Sequence, residues 1–137
     1  MRRSVLLMLA LSAVSCTPGT MGYVVKPDYF QLRHSFTGTW DSEWGEMQLK
    51  QRGTYVAGSY TRFNGVKGTI NGKLEGNLLR FSWEEKGDLT SGQLTRRGRG
   101  FFNLSRDGKK LKGRWGYEKS MVDGGTWEAK RSIKYEE

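Results

Sequence analysis

Gly100-Phe101-Phe102-Asn103-Leu104-Ser105-Arg106-Asp107-Gly108-Lys109-Lys110-Leu111-Lys112-Gly113-Arg114-Trp115 decides the fold. Apolar and polar side chains alternate on both sides of Asp107-Gly108, the pattern of a β-hairpin. The same spacing stands 55 residues earlier as Gly45-x-Met47-x-Leu49-x-x-x-Gly53-x-x-Val56-x-Gly58-x-Tyr60. A weaker copy lies between, Gly68-x-Ile70-x-Gly72-x-x-x-Gly76-x-x-Leu79-x-Phe81-x-Trp83. One hairpin repeated at a fixed spacing specifies an architecture rather than a local element.

The three hairpins supply six strands. Phe36-x-Gly38-x-Trp40 reads as a strand before them and Gly125-x-Trp127-x-Ala129 as one after. No helical period interrupts residues 36–131. Short strands joined in series predict an all-β, eight-stranded antiparallel up-and-down barrel, because closure removes the exposed sheet edges. A two-sheet sandwich would need longer crossing connections than this chain supplies.

Two-residue turns at Arg52-Gly53, Glu75-Gly76 and Asp107-Gly108 would set the inward pairs. They are Leu49–Val56 and Met47–Gly58, Gly72–Leu79 and Ile70–Phe81, Leu104–Leu111 and Phe102–Gly113. One step further each hairpin sets a glycine against an aromatic ring: Gly45–Tyr60, Gly68–Trp83 and Gly100–Trp115. These turns share one end of the barrel. The other end carries the longer loops 41–44, 61–67, 84–91 and 117–124, and there the sequence expects an aromatic mouth of Trp40, Tyr60, Trp83, Trp115 and Trp127. Such a mouth is either a plug of buried rings or a cup for a small apolar or glycan ligand. The outward positions, among them Gln48, Lys50, Lys73 and Arg80, are polar, the reverse of a membrane-spanning barrel.

Charge is distributed unevenly. The chain of 137 residues has a formal net charge of +9, and +7 without Arg2 and Arg3. Residues 91–115 carry eight basic side chains against Asp107 alone, so the excess belongs to the third hairpin. Arg97, Arg99, Lys110, Lys112 and Arg114 are candidates for contact with an anionic lipid or polysaccharide, or are simply a solvated strand face. Nucleic acid is not expected, since the basic strands lack interleaved aromatics on their outer face and the chain bears an export signal.

That signal is a basic start at Arg2-Arg3, an apolar run from Val5 to Val14 too short to span a bilayer, and small residues after it. Cys16, the only cysteine, excludes a disulfide-stapled fold. The stretch Ala13-Val14-Ser15-Cys16 resembles the lipobox of bacterial lipoproteins, although Ala13 stands where leucine is usual. The resemblance implies lipidation at Cys16, and Thr17 after it implies the outer membrane. The expected organisation is a signal peptide over 1–15, a lipidated N-terminus and flexible tether over 16–35, a barrel over 36–131 and a tail over 132–137. The anchor would hold the tight-turn end near the membrane, with the protein on the periplasmic face. Ordinary signal cleavage would leave a soluble protein with one thiol.

Catalysis is not expected. His34 is the only histidine and precedes the barrel, so neither a Ser/His or Cys/His pair nor a metal set can form within it, and no cofactor is implied. Glu84-Glu85 reads as a water-facing loop pair.

Phe36-Thr37-Gly38-Thr39-Trp40 and Val56-Ala57-Gly58-Ser59-Tyr60 resemble the opening strands of avidin-like and other calycin-type barrels. The chain is similar as well to small barrel modules of bacterial exported proteins. Both resemblances span residues 36–131 and imply the fold; avidin's biotin contacts find no matching set beyond Ser42. A third resemblance, to the periplasmic metalloprotease-inhibitor barrel, implies an inhibitory arm in residues 17–35, although that family has a disulfide. Function therefore divides three ways: a non-enzymatic envelope binding module, a protease inhibitor and a structural envelope component.

Overall fold

The computed structural model describes residues 25, 27, 34–88 and 90–133. Cys16, the signal segment and most of the proposed inhibitory arm lie outside them. Eight strands follow in order: β1 Gly38–Ser42, β2 Gly45–Arg52, β3 Tyr55–Thr61, β4 Lys67–Glu75, β5 Leu78–Glu85, β6 Arg96–Leu104, β7 Lys110–Tyr117 and β8 Gly125–Arg131. Each pairs antiparallel with the next, and β8 returns to β1 through Trp40↔Arg131 and Ser42↔Ala129. The sheet is a closed barrel, so no strand edge is left open to another chain.

Period-two patterning becomes burial directly. Met47, Leu49, Val56, Ile70, Phe81, Phe102, Leu104 and Leu111 are all buried in one interior cluster, while their strand neighbours Glu46, Gln48, Lys50, Ala57 and Lys112 are exposed. The large rings leave little interior space, as an eight-stranded barrel allows.

The register of two hairpins differs from the expected one. Arg52 pairs with Tyr55 and Glu75 with Leu78, so the loops are Gly53-Thr54 and Gly76-Asn77. Gly53 and Gly76 both have φ of 59°, and neither Thr54 nor Asn77 has positive φ. Positive φ at the first loop position alone is the type II′ pattern, whereas the expected loops had glycine second. Leu49 therefore faces Gly58 instead of Val56, and Gly72 faces Phe81 instead of Leu79. The slip is two residues, so every side chain keeps its face.

In the third hairpin Leu104↔Leu111 and Phe102↔Gly113 stand as expected, but the turn is longer. Ser105 and Lys110 close it, with the Gly108 amide donating to the Ser105 carbonyl at 2.9 Å. Asp107 accepts from the Ser105 hydroxyl and the Lys109 amide, which also holds its carboxyl below the usual carboxylate range.

Of the expected glycine–aromatic pairs Gly100↔Trp115 stands, and the other two rings take different glycines. Tyr60 lies opposite Gly68, Trp83 opposite Gly98, and Trp115 opposite both Gly100 and Gly125. A β-carbon on Gly68 would lie inside the Tyr60 ring, so the ring crosses the space that the missing side chain leaves.

The tight-turn end is sealed by residues that precede and follow the barrel. Phe36 is fully buried, and the Trp40 indole donates to its carbonyl at 2.9 Å. The Arg131 guanidinium lies 4.3 Å over the Trp40 ring and donates to the carbonyls of Gly108, Thr37 and Ser35. One planar fork thus ties the end of β8 to the β6–β7 turn and to the chain's entry.

Two outward positions depart from the polar pattern. Leu78 and Phe101 share their faces with Arg80 and Arg99 yet are buried. Arg80 on the same wall donates to the Val25 carbonyl at 3.3 Å, and Val25 and Pro27 are half-buried. Part of the N-terminal segment therefore lies against the barrel at β5.

Candidate functional site

The interior pattern runs on to the mouth. On β3, β5, β6 and β7 the inward positions approaching the long loops are Tyr60, Trp83, Gly98 and Trp115. One further step of two along each strand direction gives Arg62, Glu85, Arg96 and Tyr117. These four, with Trp44 from the β1–β2 loop and the rings of Tyr60, Trp83, Trp115 and Trp127, line a half-open recess of about 50 Å³. A water needs ~10–15 Å³ by this measure, so the recess admits a few heavy atoms and not a whole ring. The barrel is filled below it and dished at the top.

The rings meet edge to face in two tiers. Trp115 touches Trp44, Trp83 and Tyr117 with centroids 5.9, 5.8 and 5.0 Å apart. Beneath them Trp127 meets Tyr60, Phe81 and Phe102 at 5.1, 5.7 and 5.3 Å. Such pairs add ~0.5–1.5 kcal/mol each beyond burial, so the tiers are rigid.

Polar groups at the recess form one network. The Tyr60 hydroxyl donates to Glu85 at 3.0 Å, and Arg62 lies 3.5 Å from the other Glu85 oxygen. Burial first, then the neighbouring Glu85 carboxylate, pushes the Tyr60 hydroxyl far above its ordinary value of 10.0, so it stays a donor. Arg96 donates to the Tyr117 hydroxyl at 2.7 Å and lies 5.2 Å over that ring.

Indole hydrogen bonding separates the five tryptophans. Trp40, Trp44 and Trp83 donate to the carbonyls of Phe36, Thr126 and Gly116. The Nε1 atoms of Trp115 and Trp127 are buried with no acceptor among the described residues. Both rings line the recess. A buried donor left unpaired costs ~1–3 kcal/mol, and neither Nε1 opens into the recess, since both atoms are shielded from solvent.

The structure brings Tyr60, Trp83, Trp115 and Trp127 together and sets Trp40 apart. Strands of a closed barrel tilt by ~35–45°, which carries the inward residue of the short β1 toward the tight-turn end. Trp40 is fully buried there under Arg131, and the mouth tryptophan of this hairpin is Trp44. Glu84-Glu85 is corrected too. Both lie on β5; Glu84 faces out, and Glu85 is buried in the recess network. Ser42 donates to the Gly45 carbonyl at 2.6 Å and accepts the Trp44 amide, which fixes the β1–β2 loop.

Arg97, Arg99, Lys110 and Lys112 are exposed on the outer faces of β6 and β7, and Arg114 is half-buried, donating to the Val122 carbonyl. Their cross-strand neighbours break up the charge. Arg97 faces Glu84, Lys112 faces Glu128, and the buried Phe101 separates Arg99 from Asn103 along β6. Lys110 is the exception and faces Lys130 across the β7–β8 ladder.

The fold and the recess together define a filled eight-stranded up-and-down barrel with a shallow aromatic dish at its long-loop end. No protein-family model, curated protein or solved structure matches the chain.

Proposed function

We propose that the protein is a non-enzymatic binding module of the bacterial cell envelope, anchored through lipidated Cys16, whose aromatic dish holds a substituent of a glycan. The observation carrying this reading is the recess itself, whose edge-to-face rings are joined by the charged side chains of Arg62, Glu85 and Arg96. A purely apolar ligand would leave the charged side chains unmatched. A sugar presents C–H faces to rings and oxygen acceptors to N–H groups, so it suits both parts of the dish. The recess volume suits one ring substituent, with the remainder of the glycan lying across Trp44 and Tyr117, the more exposed rings.

Titration of envelope glycan fragments against intrinsic tryptophan fluorescence tests the site. Binding fragments should shift the emission, and Trp44→Ala should weaken them by about tenfold, the ~1.4 kcal/mol of one lost stacking contact. Absence of any response across the fragments, or an unchanged affinity in Trp44→Ala, would remove the dish as the binding site. For the anchor, Cys16→Ser should move the protein from the membrane fraction to the soluble periplasm; unchanged fractionation would refute lipidation.

A further inference from the structure

We infer that the glycan this dish accepts is acidic, and that Arg96 holds its carboxylate. The inference rests on the dish being a glycan site and adds the charge of the ligand. Three ionisable side chains other than tyrosines line the recess: Arg62, Glu85 and Arg96. Arg62 and Glu85 lie 3.5 Å apart and largely neutralise one another, with the Tyr60 hydroxyl completing the pair. That leaves one positive charge, on Arg96.

Arg96 lies directly across the β5–β6 ladder from Glu85, which makes an ion pair between them the simplest arrangement. Its head is turned elsewhere. Among the described residues no carboxylate lies within ion-pair distance of it, and one Nη2 donates to the neutral Tyr117 hydroxyl. The guanidinium also lies over the Tyr117 ring at 5.2 Å. Tyr117 thus fixes the position of the cation without discharging it. Arginine carries five N–H donors in a planar fork, and one of them is committed here, so the remainder can take a carboxylate in two parallel bonds.

The surroundings favour the same ligand. Arg96 is exposed at the rim, beside the rings of Trp83, Trp115 and Tyr117 that line the recess. The charge left unpaired among the described residues of the recess is a cation, and a donor. A ligand rich in acceptors and bearing one negative charge satisfies it; an amino sugar or quaternary amine would instead meet an uncompensated cation. The aromatic mouth and the anionic polymer, separate expectations from the sequence, converge on one ligand class: a ring-borne carboxylate of the uronic-acid type.

The test uses the full chain and four probes: glucuronate, galacturonate and the methyl ester of each. Esterification keeps the ring and removes the charge. At least one acid should bind ~10-fold or more tightly than its ester, a preference that weakens at high salt. Arg96→Gln should cut that preference to below about threefold, and Arg96→Lys should recover part of it, since it restores charge without the fork. Arg96→Gln should melt as the unaltered protein does, because the side chain is at the rim. Acids and esters that bind alike would overturn the carboxylate assignment and leave the glycan site standing. An ester that binds better, or an acid preference that survives in Arg96→Gln, would overturn it as well. If neither these probes nor any neutral glycan fragment binds, the dish itself is refuted along with its charge preference.

Discussion

Gly113→Ala is expected to destabilise the barrel by about 3 kcal/mol or more. Gly113 faces Phe102 on β6 and Trp127 on β8, whose rings meet edge to face 5.3 Å apart. A β-carbon at Gly113 would lie inside the Phe101 carbonyl, and backbone cannot rotate away as a side-chain tip can. The clash can be relieved only by parting β6 from β7, which would break their ladder and separate the rings. Against a typical stability of ~5–15 kcal/mol the loss is severe, and a domain of this size should melt on the order of 15 °C lower. Gly92→Ala is the matched control. Gly92 has φ of 74° with nothing near its missing side chain, so alanine there meets only backbone strain of ~1–2 kcal/mol. Urea unfolding followed by tryptophan fluorescence compares the two, and equal losses would show that close strand approach at Gly113 is not what the barrel depends on.

That close approach was legible in the sequence as a recurring glycine facing a ring; the third hairpin kept the expected rings, Phe102 and Trp115, and the first two changed theirs. Strand faces obey a period of two, so a hairpin displaced by two residues still buries Met47, Leu49, Ile70 and Phe81. What the period cannot supply is the turn. Whether Gly53 takes the first or second loop position turns on Arg52, which a type I′ Arg52-Gly53 loop would force to positive φ and which does not adopt it. The mouth shows a second kind of loss. Arg62, Glu85, Arg96 and Tyr117 all lie on inward register, two residues from Tyr60, Trp83, Gly98 and Trp115. Continuing the alternation one step would have found them, but a charged residue beside a loop reads as exposed. Only the folded barrel shows that Glu85 is 8% exposed and carries the Tyr60 hydrogen bond. The two unpaired indoles have no sequence signal, because Trp83 and Trp115 occupy equivalent repeat positions and differ only in what their Nε1 atoms reach.

Trp40 and Trp44 are four residues apart, and the structure gives them opposite duties, so alanine at each should produce opposite phenotypes. Trp40→Ala removes a fully buried indole, strips the Phe36 carbonyl of its donor and takes the ring from under Arg131. Truncations of this kind cost ~3–5 kcal/mol. The guanidinium, left without its platform, should loosen its hold on the carbonyls of Ser35, Thr37 and Gly108. Amide exchange should therefore quicken around residues 35–37 and 108, while the dish keeps its geometry and its glycan affinity. Trp44 is 36% exposed, with its indole on the Thr126 carbonyl and its ring edge on Trp115. Its loss should cost the fold about 1 kcal/mol, the worth of one hydrogen bond and a partial ring contact. The penalty of Trp44→Ala should appear in ligand binding instead. Hydrogen exchange, urea unfolding and glycan titration on the two variants read both phenotypes under conditions where each is folded. If Trp40→Ala weakens glycan binding as much as Trp44→Ala does, the tight-turn end is coupled to the dish and the Arg131 seal is part of the binding apparatus.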